Sequence, residues 1–328
     1  MPNPSQWDAA RARQVLQRAV RARLEALGYQ EVETPLLVPA PGMEPHIRAF
    51  EVPFVPETDV GRPRTLYLHT SPEYAMKRLL ADGSGPIFQI CKVFRNGEVS
   101  PTHNPEFTML EFYRPQADYG AIMDDLESVL AAAADALGSA EPFGRRPYER
   151  VTVREALRRE TGIDLRGAPD AGSLADAARR VGVRTEAGDG FDDVFFHLFL
   201  ERVEPRLGRD RPTFLIDYPA SMAALARLSP IDPSVAERFE LYARGLELAN
   251  GFSELTDAAE QRRRLEEERA FRVARGRSGY PLDEAFLEAV GRMPPSGGVA
   301  IGLDPVLMLL LGVERIEDVL LFPCAGFV

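Results

Sequence analysis

The sequence has few cysteines and no long apolar run. Of its 328 residues only Cys91 and Cys324 are cysteines, and their spacing fits neither a metal site nor a disulfide framework. No apolar run approaches the roughly 20 residues that a membrane-spanning helix needs. The segment from Met1 to Arg11 lacks the basic and then apolar pattern of a signal peptide. We therefore expect a cytoplasmic protein that does not bind membranes.

Lysine is also scarce, since arginine provides nearly all of the positive charge and only Lys77 and Lys92 remain. The net charge of −11 argues against a protein whose main task is to hold a nucleic-acid backbone. It leaves room for a local basic patch.

The chain opens with a helical pattern, in which Leu16, Val20 and Leu24 recur at helical spacing. Two strand-like runs, 87–95 and 107–113, are separated by a loop that is longer than an antiparallel hairpin requires. Long loops inside compact domains are often functional. The two runs are typical of an antiparallel hairpin with an unusually long loop.

The segment at about 143–190 is more polar than its surroundings, with arginine-rich helical pieces. We interpret it as an insertion in a single domain that spans residues 1–328. We expect no small β-rich domain before the first helix.

Several glutamates interrupt segments that are otherwise apolar. Glu111 lies in the second strand-like run, and Glu240, Glu247 and Glu254 recur through residues 239–255. A buried carboxylate costs several kcal/mol unless it is paired or binds a cation. The pattern therefore predicts a positively charged ligand, which is a metal ion, an ammonium group or both.

Two ordinary readings of these glutamates remain open. The spacing of seven residues also fits a solvated helix face, although Gly245, Asn250 and Gly251 are poor helix formers. Glu111 also fits a structural ion pair.

The loop after the first strand carries side chains that suit a negatively charged ligand. Arg95 is suited to a bidentate contact with phosphate, while His103 and Asn104 are hydrogen-bond donors and Phe107 has a face for stacking a base. Each residue alone also fits a structural role. Together with the glutamates they predict a site for a nucleotide, Mg²⁺ and a cationic substrate.

These residues lie in segments that resemble the class II lysyl-tRNA synthetases. Residues 88–96 and 103–114 resemble the second signature motif of that family, and residues 245–255 resemble its lysine pocket. Residues 28–35 and 302–305 are similar to the first and third motifs. The resemblance covers nearly the whole chain. It implies an α+β fold, with a class II synthetase-like catalytic domain whose antiparallel β-sheet is flanked by helices.

The chain resembles most closely the stand-alone paralogues that attach β-lysine to a lysine of elongation factor P. As in those paralogues, we expect no N-terminal anticodon-binding domain, and residues 70–80 read like that subfamily. Ala300 stands where lysyl-tRNA synthetases have glycine. Its methyl group is expected to reshape the pocket for the shifted amine of β-lysine.

The resemblance implies roles for the nucleotide-binding residues. Arg95 is expected to hold the α-phosphate of ATP during catalysis, with His103 and Asn104 as further ATP ligands and Phe107 stacked on adenine. The expected reaction forms an aminoacyl-adenylate from lysine or (R)-β-lysine and transfers it to elongation factor P, without tRNA. A homodimer is also expected.

The resemblance also implies ligands for the metal and the amino acid. Glu240 and Glu247 are expected to bind Mg²⁺. The side-chain ammonium group of the substrate is expected to contact Glu111, Tyr113 and Glu254. The backbone end of the substrate is expected to contact Glu73 and Asn250.

Two positions depart from the family pattern. Gly97 replaces a glutamate of the second motif, and Pro305 replaces the arginine that ends the third motif. We expect Asp304 to cap a helix that begins with Pro305. The departures leave two hypotheses, an active ligase with an altered ATP site and a catalytically impaired paralogue that binds lysine and regulates another process.

Overall fold

A computed structural model describes residues 3–59 and 61–326. Within these residues eleven strands form two sheets. The strands are β1 (Gln30–Glu31), β2 (Leu37–Val38), β3 (Phe50–Phe54), β4 (Arg64–Leu68), β5 (Ile87–Phe94), β6 (Glu106–Pro115), β7 (Glu149–Thr152), β8 (Thr213–Pro219), β9 (Val235–Ala243), β10 (Leu246–Ser253) and β11 (Ser296–Gly302).

The main sheet contains eight strands in the order β1-β5-β6-β11-β10-β9-β8-β7. Its six central strands are antiparallel, while β1 and β7 add to the two edges in parallel. The predicted hairpin of residues 87–113 is confirmed, because β5 pairs with β6 from Ile87 to Phe94. A smaller sheet has the order β2-β4-β3.

Nine α-helices accompany these sheets in the part of the chain that the structure describes. They are α1 (Pro4–Ala26), α2 (Glu73–Ala81), α3 (Tyr119–Leu137), α4 (Val153–Thr161), α5 (Ala171–Arg180), α6 (Phe191–Arg202), α7 (Ala258–Ala274), α8 (Glu284–Val290) and α9 (Leu303–Leu311). The described residues include no helix that has both the length and the apolar character to cross a bilayer.

The largest hydrophobic core lies between one face of the main sheet and helices α1, α3 and α9. Leu110 and Phe112 of β6 are fully buried in this core. Because successive side chains of a strand point to opposite faces, Glu111 and Tyr113 lie on the other face. The helices therefore leave the second face for polar side chains. The predicted fold class, an α+β fold with an antiparallel sheet flanked by helices, is confirmed.

Helices α4, α5 and α6 form a second hydrophobic core. Leu157, Leu174 and Phe195 from the three helices are buried together with Leu215 and Tyr242 of the main sheet. The predicted insertion at about 143–190 contains α4 and α5, and α6 lies beyond its predicted end. This helical unit packs on the strands at one edge of the main sheet.

Helix α9 begins differently from the prediction. Gly302 is the residue that precedes it, so Asp304 and Pro305 lie inside its first turn. The prediction that Asp304 caps the helix is wrong, because its buried carboxylate is used elsewhere. Its Oδ2 accepts a hydrogen bond of 2.8 Å from the Thr108 backbone N–H, and its Oδ1 pairs with Arg13. Proline is tolerated in a first turn, where backbone N–H groups lack partners within the helix.

The pair of Arg13 and Asp304 yields a test of this core. We expect Arg13→Ala to lower the free energy of unfolding by about 3 kcal/mol, because it leaves a buried carboxylate without its counter-charge. The two side chains are 19% and 0% exposed. Urea denaturation followed by circular dichroism measures the change.

Arg11→Ala on the same helix is the matched control. Arg11 pairs with Asp8, and these side chains are 68% and 71% exposed, so a loss below about 1 kcal/mol is expected. Equal losses in the two variants would contradict the assigned role of the buried pair.

Candidate active site

One face of the main sheet carries a row of side chains that the sequence singled out. Glu240 pairs with Asn250, Asn250 with Ala300, Ala300 with Glu111, and Glu111 with Gln89. Residues paired directly across strands share a face, with Cβ atoms about 4.5–5.5 Å apart. The register therefore brings distant parts of the sequence into one line, with the methyl group of Ala300 at its centre.

A glycine beside this row gives two side chains room to enter the site. Gly298 pairs with Tyr113 in the neighbouring strand. A Cβ atom on Gly298 would lie 2.2 Å from the Tyr113 ring and 2.6 Å from Oε1 of Glu254. Glycine is therefore required here for close packing.

Lys77 joins two of the predicted substrate-binding carboxylates. Its Nζ lies 2.6 Å from Oε1 of Glu73 and 2.5 Å from Oε2 of Glu254. Burial alone would lower the pKa of Lys77, but the two carboxylates raise it above its usual value. Burial raises the pKa of Glu254 to about 7, although Lys77 acts in the opposite direction. Lys77 is therefore charged and holds both carboxylates in place.

Glu111 is oriented by two hydroxyl groups. Ser71 donates a hydrogen bond of 2.5 Å to its Oε1, and the Tyr113 hydroxyl donates one of 2.9 Å to its Oε2. Burial and the nearby Glu73 carboxylate raise the pKa of Glu111 to about 8. The predicted residues Glu73, Glu111, Tyr113 and Glu254 thus form one cluster.

This cluster has more negative than positive charge. When Glu73, Glu111 and Glu254 are ionised, Lys77 balances one of their three charges. Two negative charges then remain in a low-dielectric environment, which favours the uptake of cations. A diamino acid carries two ammonium groups and so matches this excess.

Several buried polar atoms near the cluster have no hydrogen-bond partner. They include Oδ1 of Asn250, Oε1 of Glu254 and Oε1 of Gln89. Such atoms are rare in native proteins and often mark a place for a ligand or water. A cavity of about 120 Å³ is lined in part by Ser71 and Glu73, so space lies next to the acids.

Arg95 stands at the start of the long loop between β5 and β6. Its guanidinium carbon lies 5.2 Å from the centre of the Phe107 ring, and its Nη1 lies 3.8 Å from Oε1 of Glu98. Its buried Nε has no hydrogen-bond partner. The structure thus brings Arg95 and Phe107 together, with guanidinium donors left for a phosphate group.

His103 and Asn104 lie further along the same loop. The exposed His103 ring has Nδ1 2.9 Å from the Ser100 hydroxyl. Asn104 donates a hydrogen bond of 2.6 Å to the Glu106 carbonyl and accepts one of 2.8 Å from the Cys324 N–H. Asn104 therefore ties the loop to the C-terminal segment, and the ATP-binding role of both residues stays a prediction.

The two predicted metal ligands lie on β9 and β10. Glu240 accepts hydrogen bonds from the Tyr218 and Tyr242 hydroxyls at Oε2, and Arg238 donates one of 2.6 Å to its Oε1. Glu247 is solvent-exposed and has no ion-pair or hydrogen-bond partner among the described residues.

These two glutamates suit a metal ion that is shared with a nucleotide. Within residues 3–59 and 61–326 no group of three His, Cys, Asp or Glu side chains is arranged to hold a metal ion. Mg²⁺ is usually bound by one or two carboxylates together with phosphate oxygens and water. Glu240 and Glu247 are two carboxylates on paired strands, and they fit that requirement.

The sequence reasoning missed three residues of the site, Lys77, Ser71 and Arg238. Lys77 carried a signal, because it is one of only two lysines and lies four residues after Glu73 in a helix. Arg238 lies two residues before Glu240 on the same strand face. Ser71 carried no comparable signal.

The raised pKa values predict how lysine binding depends on pH. The pKa values of Glu111 and Glu254 are higher in the folded protein than in the unfolded chain. These two carboxyl groups therefore stabilise the ligand-free protein at low pH, and this contribution is lost as pH rises through about 7–8. An ammonium ligand requires the ionised carboxylates. We therefore expect lysine to raise the melting temperature more at about pH 8 than at about pH 6.

Differential scanning calorimetry with a fixed lysine concentration measures this difference. Norleucine, which lacks the side-chain ammonium group, is the control ligand and should give a smaller shift. A lysine shift that is the same at both pH values would remove Glu111 and Glu254 from the binding event.

Comparison with known proteins agrees with this geometry. The family model of class II tRNA synthetases (D, K and N) matches residues 1–325. The elongation factor P–(R)-β-lysine ligase of Salmonella arizonae is 44% identical over 299 residues, which cover 90% of this chain and 88% of that protein. The ligases of the same name from Enterobacter sp. strain 638 and Salmonella paratyphi B are each 43% identical with the same coverage. The chain belongs to the class II tRNA synthetase family.

Proposed function

We propose that this protein is an ATP-dependent ligase that activates (R)-β-lysine or lysine and transfers it to a lysine side chain of elongation factor P. The observation that carries the proposal is the cluster of Glu73, Glu111 and Glu254 with Lys77, which α2 and the main sheet bring together. When its three carboxylates are ionised, the cluster has an excess of two negative charges, which suits a substrate with two ammonium groups. The curated relatives, which are named for the same reaction, support the assignment.

Different carboxylates bind the two ends of the substrate. Glu111, held by the Ser71 and Tyr113 hydroxyls, and Glu254 bind the side-chain ammonium group. Glu73 and Asn250 orient the other end of the substrate. Ala300 lies between Asn250 and Glu111 in the sheet register, so its methyl group meets the middle of the substrate and contributes to the choice between isomers.

The reaction has two steps. The substrate carboxylate attacks the α-phosphorus of ATP, the bond to the β-phosphate oxygen breaks, and pyrophosphate leaves. The lysine amine of elongation factor P then attacks the activated carbonyl carbon, loses a proton and displaces AMP. Arg95 stabilises the α-phosphate in the first step, and the site contributes mainly through positioning and charge.

The nucleotide site is completed by the loop between β5 and β6. Phe107 stacks on the adenine, and His103 and Asn104 contact ATP. Glu240 and Glu247 hold Mg²⁺, which when bound neutralises charge on the phosphates. The exposed position of Glu247 supports this role, because its carboxylate is accessible to a cation.

We also propose a cytoplasmic homodimer that does not act on tRNA. The net charge of −11 disfavours a nucleic-acid partner. Exposed apolar side chains on α1 and at the start of β2 support a dimer, since Trp7 is 51%, Leu36 40% and Leu37 39% exposed. Apolar surface of this kind suits contact with a second copy.

Pyrophosphate exchange tests the proposed activity directly. With Mg²⁺ and labelled pyrophosphate, we expect label to enter ATP only when one lysine isomer is present, because exchange requires a reversible adenylate. Reactions with (R)-β-lysine, α-lysine and no amino acid identify the substrate. Folded protein that binds lysine but supports no exchange would contradict the ligase and favour the regulatory paralogue.

Glu254→Gln tests the substrate pocket. The variant keeps the size of the side chain and removes the charge, so we expect lysine affinity to fall roughly ten- to a hundredfold, the scale of one charge-assisted contact. Isothermal titration calorimetry measures the affinity. Glu288→Gln on the exposed face of α8 is the matched control and should bind as the parent protein does. Unchanged affinity in Glu254→Gln would remove Glu254 from the pocket.

A further inference from the structure

Arg48 lies directly against Gly97 in the long loop between β5 and β6. The Asn96 backbone N–H donates a hydrogen bond of 2.7 Å to the Arg48 carbonyl. A Cβ atom on Gly97 would lie 2.5 Å from Nη2 of Arg48. The guanidinium group therefore occupies the space that a side chain at position 97 would fill, two residues after Arg95.

The backbone around Arg48 is held firmly. Arg272 donates hydrogen bonds of 2.8 Å and 2.7 Å to the carbonyls of Glu44 and Ile47. On the other side, the Ala49 N–H donates one of 2.9 Å to the Tyr280 hydroxyl. These contacts fix the position from which the Arg48 side chain reaches the loop.

The charge of Arg48 has no counter-charge within reach. It is exposed, and among the described residues no carboxylate lies within ion-pair distance of its guanidinium group. Arg95, at the start of the same loop, has only a long contact of 3.8 Å with Glu98. Two guanidinium groups thus flank the first turn of the loop, and an anion between or beside them would be bound favourably.

Gly97 explains why this arrangement is possible. Its φ is +90°, a conformation that glycine adopts at little cost. A glutamate at this position, the residue that the resemblance leads one to expect, would meet the guanidinium group and neutralise it. With glycine, the charge of Arg48 stays available. The loss of an arginine at Pro305 leaves the nucleotide site short of one guanidinium group.

We propose that Arg48 binds ATP in this chain, with its guanidinium group donating hydrogen bonds to phosphate oxygens, and that Gly97 provides the space for it. This inference rests on the proposed ligase function, because it needs a nucleotide at the loop between β5 and β6. It assigns Arg48 a binding role and explains the two departures from the family pattern as one altered arrangement of positive charge.

Kinetics of pyrophosphate exchange test the proposal with Arg48→Ala and Arg48→Lys. We expect Arg48→Ala to raise the KM for ATP about tenfold or more, the scale of one charge-assisted hydrogen bond, with an unchanged KM for the amino acid. Arg48→Lys keeps the charge but loses the planar fork, so it should recover part of the affinity. Arg184→Ala is the matched control, since Arg184 is also exposed and unpaired among the described residues but lies between α5 and α6.

The outcomes separate clearly. An ATP KM in Arg48→Ala that equals that of Arg184→Ala would overturn the proposal. A rise in both KM values together with a lower melting temperature would also overturn it, because it indicates a structural role. Exchange that is absent in the parent protein counts against the ligase function, and calorimetric titration with ATP then still tests Arg48.

Titration with adenosine identifies the part of the nucleotide that Arg48 contacts. If the guanidinium group binds phosphate, Arg48→Ala weakens ATP binding and leaves adenosine binding unchanged. Equal losses for ATP and adenosine would overturn the assignment to phosphate.

Discussion

The charge balance around Lys77 is the constraint on which the rest of the site depends. Three carboxylates on or beside the sheet are tolerated in a dry environment because one internal ammonium group pairs with two of them. The balance is incomplete, since Glu254 retains a buried oxygen without a partner. A buried charge of this kind is costly. The ligand-free site therefore favours cation binding, and the ammonium groups of a diamino substrate provide the missing positive charge. Binding and stability are coupled through the same groups.

Much of this site could be predicted from the sequence, because many of its polar side chains lie in or next to strands that are otherwise apolar. Glu111, Tyr113, Asn250 and Glu254 interrupt apolar patterns, and such interruptions are informative where burial is expensive. That they meet in one site could be predicted only by resemblance, since strand register between distant segments is not a local property. The pairing of Ala300 with both Asn250 and Glu111 is a result of the sheet.

The features that escaped prediction depend on tertiary contacts. Asp304 looked like a helix cap because its local sequence fits one, but Arg13 and Thr108, which are distant in sequence, use its carboxylate. Lys77 lies in residues 70–80, and the resemblance assigned it no role. Only the tertiary structure places Glu254 beside it. Likewise, the meaning of Gly97 depends on Arg48, which comes from a separate part of the chain. Local propensity does not contain such information.

The row from Gln89 to Glu240 has a consequence for how the protein folds. Its members come from five strands, and two neighbours in the row, Glu111 and Ala300, are far apart in the chain. Contacts of such sequence separation form late, because the entropy of closing long loops must be overcome first. The substrate pocket therefore comes into being only when the sheet is complete. Ligand binding by a nascent or refolding chain reports the last stage of its folding.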